Sequence, residues 1–383
     1  MRPSVRLLAC CLLVGLVPAA AHAQSSQFGV RSLGFPGYGT SVPARGTGGS
    51  FGLFDDLSTI NPASIGGLPV LTASFIILGD NRSQANGAGS GTARSSRFPG
   101  FFIGGPIPHL PLTIALSAST YLNRDYGLAT SDTLTLRGTP QQAFDTLTSK
   151  GGITDVRLAL AYRLGRKTAF GFGAHVLTGS TREELRRGFA DSTYTETAQL
   201  TELSGTGAGF SIGFIHALLP NLAIAGSARY DTRLRVKRDS IPKYDVDLPM
   251  TLDGSIKFRP VRRLDLGFRA EYRNWSRADA QLVAQGAPGA ANTFLVAGGL
   301  EFLTDFRRPY NKPIRFGVRY QTLPFYLVRG AQGHEYAASV GTGTRFAGGR
   351  GGIDLALDRA VRADGTGRTE TAYIITAGIS IRP

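Results

Sequence analysis

The sequence predicts an all-β protein: a transmembrane antiparallel β-barrel of about fourteen strands with an N-terminal plug (hatch) segment. Three observations carry this. Segments of about ten residues with apolar and polar positions alternating recur along the chain. The connections between them run alternately long and short. Between the leader-like start and the last strand, no apolar run is long enough for a membrane helix.

The first 23 residues read as a secretory signal. Arg2 and Arg6 make a positive start, Leu7 to Val17 is an apolar stretch, and Ala21-His22-Ala23 fits a cleavage site, so Gln24 begins the mature chain. Both cysteines, Cys10 and Cys11, fall in that signal. The mature chain then has no disulfide and no thiolate metal site.

Composition fits a barrel. Glycine is 50 of 383 residues, which suits strands that bend and crowd one another. The formal net charge of +15 invites a nucleic-acid reading, but the basic residues form no single stripe with interleaved aromatics. They sit at alternate strand positions and in loops, as a charged lumen and a lipopolysaccharide-facing surface require. No nucleic-acid partner is expected.

Residues 24–67 lack alternation, are rich in Gly, Ser and aromatics, and read as one unit, the plug. Residues 68–383 read as the barrel. Its strands are expected at 68–79, 96–104, 112–122, 153–164, 168–179, 207–216, 222–234, 250–258, 263–275, 293–302, 313–324, 335–346, 351–361 and 369–382. Alternation is clearest in four of them. In 263–275, Leu264, Leu266, Phe268, Ala270 and Tyr272 oppose Arg263, Asp265, Arg269, Glu271 and Arg273. In 313–324, Ile314, Phe316, Val318 and Tyr320 oppose Arg315, Arg319 and Gln321. In 153–164, Val156, Leu158, Leu160, Tyr162 and Leu164 oppose Asp155, Arg157 and Arg163. In the last strand, Tyr373, Ile375, Ala377, Ile379 and Ile381 oppose Thr376, Ser380 and Arg382. Successive side chains face opposite sides. The apolar set must face lipid, because a basic side chain at the lipid midplane costs about 2–4 kcal/mol.

Long connections are expected at 80–95, 123–152, 180–206 and 235–249, and short ones at 165–167, 217–221 and 259–262. Barrels of the outer membrane have long external loops and short periplasmic turns. An even strand count then puts both ends in the periplasm. The Gly104-Gly105-Pro106 cluster, with Pro108 and Pro111, reads as the periplasmic turn between strands two and three. Trp275, Tyr272 and Tyr230 read as girdle residues at the membrane interface.

The stretch Phe54-Asp55-Asp56-Leu57-Ser58-Thr59-Ile60-Asn61-Pro62-Ala63-Ser64-Ile65-Gly66-Gly67-Leu68 resembles the N-terminal signature of FadL-type outer-membrane transporters for long-chain fatty acids and other hydrophobic compounds. In that family an Asn-Pro-Ala closes the plug just before the first strand. Gly254 to Pro260, Leu264 to Phe268 and Tyr272-Arg273-Asn274-Trp275-Ser276 look similar to a hairpin of the family, and Ile314 to Tyr320 and Ser339 to Phe346 also match. The chain departs from the usual ending, with Pro383 where an aromatic is common. The resemblance implies a plugged lumen, hydrophobic cargo leaving sideways through the wall, no enzymatic activity and no cofactor.

On that reading Asn61, Pro62 and Ala63 anchor the plug. Phe28, Phe35, Tyr38, Phe51 and Phe54 are candidates for lining an apolar pocket. Arg157, Arg269, Glu271, Arg273, Arg315 and Arg319 are candidate lumen charges. The loop basics Arg182, Arg186, Arg187, Arg235, Lys237 and Arg238 suit lipopolysaccharide phosphates. The expected partners are hydrophobic small molecules, lipopolysaccharide and outer-membrane lipid, with the protein a monomer. The scattered histidines form no metal site, and no nucleophile elbow occurs. The alternative function is a non-transporting barrel that acts as adaptor or shuttle for secreted surface proteins.

Overall fold

A strand with one greasy face and one ionised face can sit in a membrane only if the sheet closes, since an open edge leaves backbone groups unpaired in lipid. Closure is what the computed structural model shows. It describes residues 26–86, 89–239, 241–304 and 312–382, so the expected signal, both cysteines and Pro383 lie outside the described residues. Of the eighteen strands in the one sheet, four are accessory (Phe35–Pro36, Tyr126–Leu136, Arg233–Arg238 and Ile241–Asp247) and fourteen form the wall. In chain order these are β1 (Thr72–Asn86), β2 (Gly89–Pro106), β3 (Leu112–Asn123), β4 (Thr139–Leu164), β5 (Thr168–Phe189), β6 (Thr197–Leu219) and β7 (Leu222–Asp231). They continue as β8 (Met250–Val261), β9 (Leu264–Arg273), β10 (Thr293–Phe302), β11 (Ile314–Thr322), β12 (His334–Phe346), β13 (Gly351–Ala363) and β14 (Thr369–Ile381). Each pairs antiparallel with the next, and β14 closes on β1 from Thr369↔Ala85 to Ile381↔Ala73. No helix among the described residues is long and apolar enough to cross a membrane. With its outer face apolar, this closed barrel belongs in the outer membrane.

The alternation holds. On β9, Phe268 is 51% exposed while Arg269 is 2% exposed. On β11, Val318 is 62% exposed and Arg319 is 6%. Leu158 and Leu160 on β4 face out, and Asp155 and Arg157 are buried inside. On β14, Tyr373, Ile375 and Ile379 face out, and Thr376 and Ser380 are buried.

Two expectations change. The connections expected as long loops at 80–95, 123–152, 180–206 and 235–249 are largely sheet. β4, β5 and β6 run for 26, 22 and 23 residues, about twice what a tilted strand needs to cross lipid. Water bathes both faces of their outer halves, so nothing there enforces alternation. Arg182, Arg186 and Arg187 therefore lie on β5, and Arg235, Lys237 and Arg238 on the accessory strand Arg233–Arg238, rather than in loops. The first wall strand also begins at Thr72, four residues after the expected start at Leu68.

The second change concerns Trp275. It is not a girdle residue: it is 1% exposed and packs edge-on against Phe325, with ring centroids 4.9 Å apart. Both belong to an apolar cluster with Leu122, Leu177, Leu234 and Val246 at the external end of the barrel. The 3-10 turn Trp275–Ala278 and the helix Asp279–Ala284 fold inward over this cluster. Tyr230 does face outward, its ring tilted against Phe210 with centroids 5.7 Å apart.

Candidate functional site

The segment from Ser26 to Leu68 contacts the inward face of the wall. Its one α-helix, α1 (Val42–Gly46), starts where the Ser41 hydroxyl accepts from the Ala44 N–H and Pro43 supplies a fixed φ. Glycines on the wall make room for it. A Cβ on Gly317 would lie 2.0 Å from the Thr47 carbonyl carbon, and one on Gly213 would lie 2.0 Å from Asn61 Oδ1. No side chain fits at either position while the segment stays where it is.

Asn61, Pro62 and Ala63 lie against β5 and β6. Asn61 Nδ2 donates to Leu53 O (2.9 Å) and to Phe214 O on β6 (3.2 Å), and Oδ1 accepts from Ala63 N–H (3.0 Å). Asn61 is fully buried. One side chain thus satisfies three backbone groups that would otherwise be stranded.

The inward charges are paired along strands and across neighbouring ones. Arg269 on β9 donates to Asp253 (2.5 Å) and Glu271 (2.6 Å), and Arg273 to Glu271 (2.7 Å). Arg315 bridges Glu301 (2.6 Å) and Asp354 (3.0 Å). On β12, Glu335 accepts from Arg319 (2.8 Å), Arg362 (2.6 Å) and the Tyr38 hydroxyl (3.0 Å). Tyr38 is held between two guanidiniums, Arg319 at 4.6 Å and Arg45 at 4.9 Å from its ring. Arg157 differs: it donates to Thr59 O (2.9 Å) and faces Ser117, but no carboxylate pairs with it among the described residues. Asp155 beside it is shared by His175 (2.9 Å) and Arg229 (2.5 Å), and His175 also meets Ser211 at 2.8 Å. Sequence reasoning missed the carboxylate partners Asp253, Glu301, Asp354 and Glu335. They too sit at alternate strand positions, which was the available signal.

A narrow cavity of about 70 Å³ lies where the segment meets β1, β2, β3, β13 and β14. Phe35, Tyr38, Leu57, Ile76, Leu78, Phe101, Phe102 and Ile374 give it apolar walls, and Arg82, Arg97 and Arg362 give it a polar side. Of the five aromatics singled out in the sequence, Phe35 and Tyr38 line it. Phe28 packs with Phe35, Leu323 and Leu327, Phe51 covers Gly267, and Phe54 borders a basic cleft with Arg163 and Lys257 at the periplasmic end.

The wall is interrupted beside this cavity. β2 pairs with β3 only from Gly100↔Ser119 to Pro106↔Thr113. Pro99 has no N–H to continue the ladder. Beyond it, the edge of β3 is taken by the segment instead: Phe35 pairs with Asn123, Pro36 with Leu122, and Gly37 N–H donates to Tyr121 O (2.9 Å). Phe101 is exposed on the outer face and Phe102 is buried inside, and both line the cavity. Residues from both faces of the wall therefore line the cavity, and the segment fills the edge beside it.

No protein-family model matches the sequence, and no curated protein is similar to it. Solved structures share the fold. A Pseudomonas aeruginosa FadL homologue superposes with a TM-score of 0.63 at 14% identity, over 91% of this chain and 99% of that one. The CymD monoaromatic hydrocarbon channel matches at 0.56 and 13% identity, over 92% and 99%. The P. putida toluene transporter TodX matches at 0.56 and 12% identity, over 91% and 99%.

Proposed function

We propose that this chain is a passive outer-membrane transporter for hydrophobic compounds, such as long-chain fatty acids, with residues 24–67 as a plug. The observation that carries this is the cavity at the β2–β3 interruption, apolar on most sides and lined from both faces of the wall. A hydrophobic solute gains nothing from a water-filled bore. A greasy pocket that opens sideways delivers it to the membrane without crossing water.

The plug reading rests on the glycine cut-outs and the ionic contacts between segment and wall. It argues against a general polar porin. The adaptor alternative needs external loops held out for a protein partner, whereas here Trp275 and Phe325 fold into a cover over the external end. The fold of the solved hydrocarbon channels supports the same reading. Transport on this account needs no cofactor, no catalysis and no second copy of the chain.

The test is deletion of residues 26–66. The barrel should still fold, and its conductance to small ions in planar bilayers should rise. Unchanged conductance would remove the plug from the account.

A further inference from the structure

A second feature lies on the outside of the barrel, away from the cavity. Along β7 the outward-facing residues are Gly226, Ala228 and Tyr230, running toward the external end, with Thr232 just past the strand. Gly226 pairs with Gly254 on β8, and Gly254 with Ala270 on β9. The Phe214 ring covers Gly226, and beside it Gly254 and Ala270 leave a groove on the lipid face. Its volume is about 810 Å³, and Phe214, Leu252 and Val296 form its sides. A Cβ built on Gly254 meets nothing within 4 Å, so the space is open to the bilayer.

Immediately above lies a cleft of about 640 Å³ of opposite character. Tyr230 lines it, about 7 Å along the strand from Ala228. Arg233, Arg235 and Arg277 line it with Asp245 and Asp247. Asp247 is already engaged by Arg233 (2.7 Å) and Gln281 (2.8 Å). Arg277 stacks over the Tyr230 ring at 5.3 Å. Among the described residues neither Arg235 nor Arg277 is in an ion pair; Asp245, opposite Arg235 in the hairpin, is the other carboxylate on the rim.

A cleft lined by three arginines and two aspartates at the external end of the wall, separated by Tyr230 from an apolar groove at mid-wall, fits one kind of molecule. We propose that it binds a phosphate-bearing lipid of the outer leaflet, the lipid A part of lipopolysaccharide. Its phosphate would be held by Arg235 and Arg277, and an acyl chain would lie along Gly254 and Ala270, beside the Phe214 ring. Guanidiniums match phosphate oxygens in bidentate geometry, and cleft and groove together set the spacing from head to tail.

The experiment is native mass spectrometry of the purified, delipidated protein with added diphosphoryl lipid A, the same lipid stripped of phosphate, phosphatidylglycerol, or inorganic phosphate. Wild-type protein should bind diphosphoryl lipid A about tenfold more tightly than the stripped form, a difference of about 1.4 kcal/mol. The pair R235Q/R277Q should abolish that preference. Gly254→Phe puts a ring into the groove from a position where a Cβ meets nothing within 4 Å, and should weaken both lipids. Heat-dependent gel mobility confirms that each variant is folded. Equal binding of the two lipid A forms by wild-type protein overturns the proposal. Phosphatidylglycerol binding as tightly as lipid A overturns the assigned lipid, and displacement by inorganic phosphate at equal concentration overturns a lipid ligand.

Discussion

Arg45 in the N-terminal segment donates from Nε (3.2 Å) and Nη2 (2.8 Å) to one carboxylate oxygen of Asp358 on β13, while Ser339 on β12 bonds the other. Both charges are buried, and neither has water to fall back on. The pair clamps the segment to the wall. Arg45→Gln leaves the Asp358 carboxylate uncompensated, which typically costs about 3–5 kcal/mol. In the folded barrel this variant should make the segment open to trypsin at Arg31. The double variant R45Q/D358N should recover part of the loss, because it removes both charges. Equal protease resistance in wild type and Arg45→Gln would show that the clamp does not hold the segment.

The glycine cut-outs make a second prediction, with a built-in control. Gly317 and Gly298 lie on neighbouring strands. Gly317 faces Thr47 with no room for a Cβ, and nothing lies within 4 Å of a Cβ on Gly298. Gly317→Val should push the segment off β11 and raise conductance in planar bilayers. Gly298→Ala should leave it unchanged. If both variants behave alike, crowding at Thr47 is not what shapes this part of the lumen.

The external cover depends on pH through Asp279. Its carboxylate accepts from the Ala290 N–H (2.8 Å) and from Arg329 (3.1 Å), and these two contacts hold it below the usual carboxylate range. A depressed value means that the contacts are fully present above about pH 4 and are lost as pH falls through the folded-state value. The side chains are partly exposed, so the effect is modest, less than about 1 kcal/mol. Hydrogen-exchange protection in residues 275–292 should fall at acid pH, and Asp279→Asn should lower it at neutral pH and flatten that dependence. Protection that is the same across this range would contradict the assignment.

Much of this fold was legible because the membrane writes it twice. Lipid forbids charge on one face of β9, and a packed lumen favours it on the other, so Phe268 and Arg269 alternate visibly. Fourteen strands follow from counting such segments. Where water meets both faces, as on the outer halves of β4 to β6, the sequence loses its period and strands read as loops. Trp275 misled for a related reason: an aromatic next to a strand end suits an interface or a buried cover equally well, and only Phe325, fifty residues later, decides between them. The site was legible on one side only. Asn61-Pro62-Ala63 stood out by position, but that Phe35 and Pro36 would take over the edge of β3 left no local mark, since two residues carry no period.

The most direct test of the lateral route uses the one place where the segment occupies a strand edge. Phe35 and Asn123 are register partners there. With the signal removed the chain is expected to hold no other thiol, so F35C/N123C can form a single disulfide that fixes the segment in the β2–β3 interruption. Uptake of a hydrophobic fluorescent fatty acid by cells making this variant should stop on oxidation and return on reduction. Uptake that continues at the reduced-state rate with the bond fully formed would mean that cargo does not pass between β2 and β3.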